Sequence, residues 1–473
     1  MPKRSNGKIA RFLLTCLVSG SLAAQTDNSL SYEAFVAGLS SHPVMMQAGI
    51  KSDMGASAMQ QARGGFDPLL QSGFATKSLD GKNYYDLQQA HLAMPTRSPL
   101  RFSGGVERNN GDNLNPQALT PEGGQWYAGV SFPLLQGLMT DARRTAWQEA
   151  LAYNDFANAE SDKYQLSLWF DASKTYADWW NAYEKTQISL ELRDLAQQRL
   201  GAVKDRAVSG DLPLIDTVEA GMQFRMREQQ LAESNVRETS ARMMLGNFIW
   251  RTEPDDTRVP VEPPRDLKPS AWPFALSLQF SQYPLDSLPS VIERSQPFLR
   301  QADAEIRGME AELRWKREQR KPQLDLTYSA LSYLDTKDGD VMPDGTDYVA
   351  GIQFRYPLLN RAARGAASLQ ELKLNDRMLE RSLLKTRIAN QARALAENIA
   401  QFRQQLDLNT TNVQSLKILL DGERENFLNG ESSLFLINQR EMAYMDARFR
   451  LADLQSGLFK MQCELQYTLG LVP

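Results

Sequence analysis

Cysteine and histidine are almost missing from this chain, and each shortage excludes a class of chemistry. Cys16 and Cys463 are the only cysteines in 473 residues, so a disulfide framework is ruled out. His42 and His91 are the only histidines. Neither has a cysteine or an acidic partner at metal-ligand spacing. A Gly-rich phosphate loop and a nucleophile elbow are lacking too, which leaves no residues for ATP or acyl chemistry and no cofactor to expect. The chain has no excess of positive charge: the formal net charge is -4 and the pI near 5.6, which argues against nucleic acid as a partner. Beyond the first residues no run approaches the roughly 18 uncharged apolar residues of a membrane helix. A chain of this kind that crosses a membrane must do so as a β-barrel.

The N-terminus has what the rest lacks. Lys3, Arg4, Lys8 and Arg11 precede the apolar run Phe12 to Val18, and Ser21, Ala23 and Ala24 offer a small-residue cleavage site, the pattern of a secretory signal peptide over residues 1–23. Cys16 offers lipidation as an alternative, against which stand the few apolar residues before it and the bulk of Thr15. Once the leader is removed, Cys463 stands alone.

The mature chain repeats one pattern twice. Pro43 and Pro68 correspond to Pro297 and Pro322. Ala128-Gly129-Val130-Ser131-Phe132 and Pro133-Leu134-Leu135 correspond to Ala350-Gly351-Ile352-Gln353-Phe354 and Pro357-Leu358-Leu359, and Gly210 to Gly430. Each half reads as short helix, strands, long helix, glycine turn, long helix. The first repeat spans 24–250 and the second 291–473, joined by a proline-rich segment over 251–290. Between its bracketing prolines the first half has about 30 more residues, enough for one extra hairpin at about 83–109.

The strands alternate, with Leu100, Phe102, Gly104 and Val106 against Arg101, Ser103, Gly105 and Glu107. Tyr348, Ala350, Ile352, Phe354 and Tyr356 likewise share one side. Two proline-free runs, Leu134 to Ser209 and Leu358 to Asn429, follow the strands and predict helices of roughly 100 Å. Ile388, Ala392, Leu395, Ile399, Phe402 and Leu406 step by four and three, the beat of a coiled coil, and Ala447, Leu451, Leu454, Leu458, Met461 and Leu465 continue it on the returning helix. Each half therefore supplies a helical hairpin with Gly210 or Gly430 at its tip. One chain has too few strands to close a barrel, and open edges are not tolerated in lipid, so several copies must share one.

In this order of features, carried by the two Pro-Leu-Leu steps, the Pro43 and Pro297 pair and the glycine tips, the chain resembles the outer-membrane efflux protein family, the TolC-like channels. Along Gly210 to Ala220 the family pattern of glycine, aspartate six residues on, then alanine is followed. The resemblance implies an α+β membrane protein of the outer membrane of a Gram-negative bacterium: a homotrimer whose protomers share one β-barrel above a long periplasmic α-helical coiled-coil barrel. It implies a passive exit duct of a tripartite efflux or type I secretion system. The implied partners are outer-membrane lipid, a periplasmic adaptor and an inner-membrane pump, proton-driven or of the ATP-binding cassette type. A non-pore periplasmic coiled-coil scaffold is the competing expectation; it would share the hairpins but not the alternating strands.

Candidate site residues follow. Asp216 and Glu219 sit where a trimer would form an acidic ring at the periplasmic entrance; the first turn of a helix favours carboxylates in any case. At the second tip the family's acidic positions are here Leu436 and Gln439. Ser209, Gly210, Asp211 and Leu212, with Asn429, Gly430, Glu431 and Ser432, are the tip residues an adaptor would meet. Tyr84, Tyr85, Trp126, Tyr127, Tyr348 and Tyr356, near strand ends, are candidates for an aromatic girdle at the lipid headgroups. Trp169, Trp179 and Trp180, in the long helix, are expected to pack between helices.

Overall fold

The computed structural model describes residues 28–270, 287–333 and 347–471. The expected signal peptide, with Cys16, lies outside them, as do residues 271–286 of the proline-rich segment. The chain opens with a short strand, β1 (Ser29–Leu30), and helix α1 (Tyr32–Gly38), then α2 (Pro43–Gly64). Four strands follow: β2 (Leu69–Leu79), β3 (Lys82–Pro95), β4 (Arg101–Asn110) and β5 (Gln125–Pro133). Helix α3 (Ala142–Val208) and α4 (Leu214–Gly246) form the first hairpin, and the short strands β6 (Trp250–Thr252), β7 (Arg258–Pro260) and β8 (Lys268–Pro269) lie in the proline-rich segment. The remainder is α5 (Leu288–Ser295), α6 (Pro297–Glu318), β9 (Gln323–Tyr333), β10 (Tyr348–Arg355), α7 (Arg361–Leu428) and α8 (Leu434–Leu469).

Helix starts follow local chemistry. Pro43 and Pro297 occupy first-turn positions, where a missing N–H costs nothing. The residue before each proline caps the turn: His42 Nδ1 accepts from the Val44 N–H at 3.2 Å, and Gln296 Oε1 accepts from the Phe298 N–H at 3.4 Å. The first long helix begins later than its proline-free run predicts, at Ala142 instead of Leu134. Gly137 turns the chain with φ +93°. The buried carboxylate of Glu318, at the end of α6, accepts from the Gly137 and Met139 N–H groups at 3.2 and 3.4 Å, so residues 134–141 form a cross-linked turn, and Asp141 then caps α3 through the Arg144 N–H at 2.9 Å. The second run starts at Arg361 instead of Leu358, after Asn360 in the left-handed region at φ +43°.

The strands form one six-stranded antiparallel sheet in the order β10-β9-β5-β4-β3-β2. The segment predicted as an extra hairpin supplies β3 and β4, which sit inside this sheet between β2 and β5. Below it, α3 packs along α2 and α4 on one flank and along α6 and α8 on the other, and α7 packs on α6 and α8. The largest core lies midway down α3. Trp169, Tyr176 and Trp179 are buried there against Tyr32 and Phe35 of α1 and Phe459 and Cys463 of α8, with Tyr32 edge-on to both Tyr176 and Phe459. The Tyr32 hydroxyl meets Ser173 Oγ at 2.8 Å. Beside them β1 pairs with β8, so the start of the described chain and the proline-rich segment close over the same part of α3. A second core joins α5, α6, α7 and α8 through Ile292, Leu299, Ile388, Ala392, Leu395, Ile399 and Leu465. It is built on the predicted coiled-coil positions.

Candidate functional site

Residues opposite one another in an antiparallel ladder project to the same face, so the pairing register sorts every side chain of the sheet. One face carries Leu70 and Phe74 of β2, Leu92 and Met94 of β3, Phe102 and Val106 of β4, and Trp126, Val130 and Phe132 of β5, continuing through Leu326 and Tyr328 of β9 to Ile352 and Phe354 of β10. The other is mostly polar: it carries Gln71, Gln89, His91, Arg101, Ser103, Glu107, Ser131, Asp325, Thr327, Ser329, Gln353 and Arg355, with Leu69, Leu87, Leu331 and Val349 among them. Among the described residues nothing covers the apolar face at its edges: Leu70, Phe74, Ile352 and Phe354 are each at least 64% exposed. Charges on that face are confined to the end away from the helices, at Asp86 and Arg108. Among the described residues β2 and β10 pair on one side only, which leaves two open edges.

The polar face is itself organised. His91, Gly105 and Tyr127 lie in one cross-strand row, and the Tyr127 hydroxyl meets His91 Nδ1 at 2.6 Å. Gly105 makes room for that ring, since a Cβ there would lie 2.8 Å from the Tyr127 hydroxyl and 2.4 Å from the Ala90 carbonyl oxygen.

The six girdle candidates are divided by the register. Trp126 and Tyr348 lie on the apolar face at the end away from the helices, while Tyr85 and Tyr127 lie at that end on the polar face. Tyr84 sits beside a register shift at Lys77, whose ammonium stands 5.2 Å from its ring. Tyr356 follows β10 at the opposite, helix-proximal end.

At the far end of the helices Gly210 and Gly430 turn the two hairpins with φ +84° and +81°, a conformation that costs other residues about 1–2 kcal/mol. Ser209, Asp211, Asn429 and Glu431 are exposed beside them, and Leu212 and Ser432 are half-buried. Asp216 lies half-exposed in the first turn of α4. Glu219, one turn on, accepts from Asn438 Nδ2 at 3.5 Å and so ties α4 to α8. Leu436 and Gln439 are exposed on α8, beside Phe435, which is 67% exposed.

The sequence reading missed a buried polar cluster above the tips. Glu441 of α8, 2% exposed, accepts from Arg199 of α3, and from Arg424 of α7 at 3.3 Å. Arg199 also donates to Asn438 Oδ1 at 2.5 Å, which extends the chain of contacts to Glu219. Arg227 of α4, buried nearby, donates to Gln230 Oε1 at 3.0 Å. Burial lowers its guanidinium pKa, Glu441 works against that shift and Arg199 adds to it. Four helices thus meet on one carboxylate-guanidinium knot. The four-and-three beat of α8, extended back from Ala447, falls on Tyr444 and Arg440 and not on Glu441, so it gave no signal there.

The two histidines and the cysteine have structural partners. His42 caps α2, its Nε2 lies 3.2 Å from the Asn247 carbonyl oxygen, and burial lowers its pKa. Cys463 is buried, and its thiol is pushed up to about 12 by burial, far from a reactive thiolate.

No protein-family model and no curated protein sequence matches the chain. Solved structures do. The outer-membrane channel OprN aligns over 93% of this chain and 89% of its own, with a TM-score of 0.65 at 11% identity. The outer membrane protein VceC from Vibrio cholerae aligns over 93% and 95%, with a TM-score of 0.64 at 13% identity. The open state of the MtrE outer membrane channel of Neisseria gonorrhoeae aligns over 92% and 88%, with a TM-score of 0.62 at 15% identity. The chain has the fold of these outer-membrane channels across nearly its whole length.

Proposed function

We propose that the chain is one protomer of a trimeric outer-membrane exit duct, built as two internal repeats and serving an efflux or secretion system whose energy comes from a partner pump. The observation that carries this reading is the sheet. A strongly apolar face, a polar face and two open edges in one sheet are what a membrane barrel requires of each contributing chain. Three copies joined edge to edge close the ladder, the apolar face meets lipid and the polar face lines the pore. Six strands from each protomer make a wider barrel than four would, since diameter rises with strand number.

The helices continue the wall. Four helical strands lie side by side, α2 over α4, then α3, then α6 over α8, then α7, and this array has two free flanks as the sheet has two free edges. Neighbouring copies cover both. The tips around Gly210 and Gly430 face the periplasm and meet the adaptor, with Asp216 and Glu219 at the entrance. Leu436 and Gln439 in place of carboxylates make that entrance less cation-selective than an all-acidic ring.

The test is the mass of the detergent-solubilised mature protein together with its conductance in a planar bilayer. A trimeric mass with discrete, cation-preferring channels is the expected result. A water-soluble monomer without conductance overturns the duct.

A further inference from the structure

At the helix-proximal border of the sheet, two arginines converge on one tryptophan. Arg63, in the last turn of α2, places its guanidinium carbon 5.4 Å from the centre of the Trp147 ring, and Arg97, in the turn between β3 and β4, places its own 4.9 Å from the same ring. Trp147 belongs to the second turn of α3 and is half-buried, while both arginines are exposed. The turn that carries Arg97 is closed by Met94 and Phe102, which face each other across the ladder on the apolar face.

The charge of this cluster has no counterpart among the described residues. Among the described residues neither Arg63 nor Arg97 has a carboxylate within ion-pair distance, whereas nearby Arg143 and Arg144 share Asp141 at 3.8 and 3.5 Å. Two guanidiniums held near one ring gain from its quadrupole but repel each other. An anion removes that repulsion. Arginine forks match phosphate oxygens in pairs, and a tryptophan at the edge of an apolar band sits at headgroup depth.

We propose that Arg63, Trp147 and Arg97 form a site for the phosphate of an anionic phospholipid in the periplasmic leaflet, its acyl chains lying along Met94, Phe102 and Leu70 of the apolar face. The proposal rests on the outer-membrane reading above, because only there does the border of the sheet coincide with a row of headgroups. Three such sites would ring the duct where barrel passes into tunnel. The lipid, not free phosphate, is the ligand: the site is open to solvent on one side and borders exposed leucine, methionine and phenylalanine on the other.

The experiment is native mass spectrometry of the full-length protein in detergent, titrated with phosphatidylglycerol or phosphatidylcholine, with membrane partitioning measured on the same preparations. Phosphatidylglycerol adducts are expected to survive at about tenfold lower lipid concentration on the natural protein than on the Arg63→Gln, Arg97→Gln double variant. Phosphatidylcholine should not distinguish the two. Arg307→Gln, on the α6 side of the tunnel and paired to Asp155, should behave as the natural protein does, and inorganic phosphate should not displace the adducts. Equal retention of phosphatidylglycerol by natural protein and double variant, with both still partitioning into membranes, overturns the lipid site alone, as does displacement by inorganic phosphate. A natural protein that fails to partition overturns the outer-membrane reading and this site with it.

Discussion

Helices α3 and α7 are nearly the same length, 67 and 68 residues, yet they live in different surroundings. On α3, 21 residues are buried, and on α7 only nine, because α3 has a helix on each flank and α7 on one. The uncovered stretch of α7 is not polar. Leu369, Leu372, Leu379 and Leu383 are spaced three, seven and four residues apart, on one helical stripe, and all are more than half exposed. The opposite end of the array, α2 and α4, shows Met46, Ile50, Met54, Val218, Met222 and Met226 at 40–56% exposure. Apolar stripes of this length on a soluble monomer are rare. In the proposed trimer the contrast would locate the joints between copies: α3 is the interior of a protomer, and α7 would become interior only in the assembly.

The strongest way to break this comparison is to charge the free stripe. Leu379→Asp with Leu383→Asp should weaken each joint by about 3 kcal/mol or more, since an unpaired carboxylate would be buried there. Light scattering should then find monomers whose circular dichroism still shows the full helix content. Unchanged trimers would mean that α7 faces water. The matching change inside the protomer, Trp179→Ala in α3, should cost about 3–5 kcal/mol of protomer stability, read as a lower denaturation midpoint of the monomer. Glu441→Ala tests the knot that ties α3 and α7 to α8. It leaves Arg199 buried without its carboxylate and should cost about 3 kcal/mol, with Glu441→Gln recovering part of the loss.

Smaller effects sharpen the picture. Gly210→Ala forces a side chain into the left-handed region and should cost about 1 kcal/mol, visible as faster hydrogen exchange at the tip. Asp453→Asn should cost less than about 1 kcal/mol, because the pair with Lys185 is partly solvated. Burial alone would raise the Asp453 pKa, but hydrogen bonds from Lys185 and Asn181 hold it below the ordinary value. Its small contribution is therefore complete above the unfolded-state pKa and fades as pH falls through the folded one. Denaturation midpoints between pH 6 and about pH 3 should converge for natural protein and variant.

The parts legible in the sequence were those set by local chemistry. Pro43 and Pro297 start helices, Gly210 and Gly430 turn them, and the beat from Ile388 to Ile399 marks a buried seam, because backbone geometry within a few residues decides each. The alternation of β4 and β10 likewise set which residues share a face. The start of α3 was not legible, since it depends on Glu318, brought to Gly137 by the fold. The Arg199–Glu441 knot joins residues from separate helices, and no window along the chain contains it. Trp126 and Tyr127 are girdle candidates by their place near a strand end, although the period of a strand sends them to opposite faces. The tip residues were placed by position alone, and nothing in their types says what they touch.

The central claim is that the two faces of the sheet meet different solvents, and adjacent residues of β10 test it directly. Ile352→Cys and Gln353→Cys, each in a Cys16→Ser background so that the only other thiol is the buried Cys463, should be reacted in membrane vesicles with a charged, membrane-impermeant maleimide. Rapid labelling at position 353 with protection at position 352 is the predicted result. Equal labelling at both positions, or labelling at 352 alone, would contradict a barrel with its polar face inward.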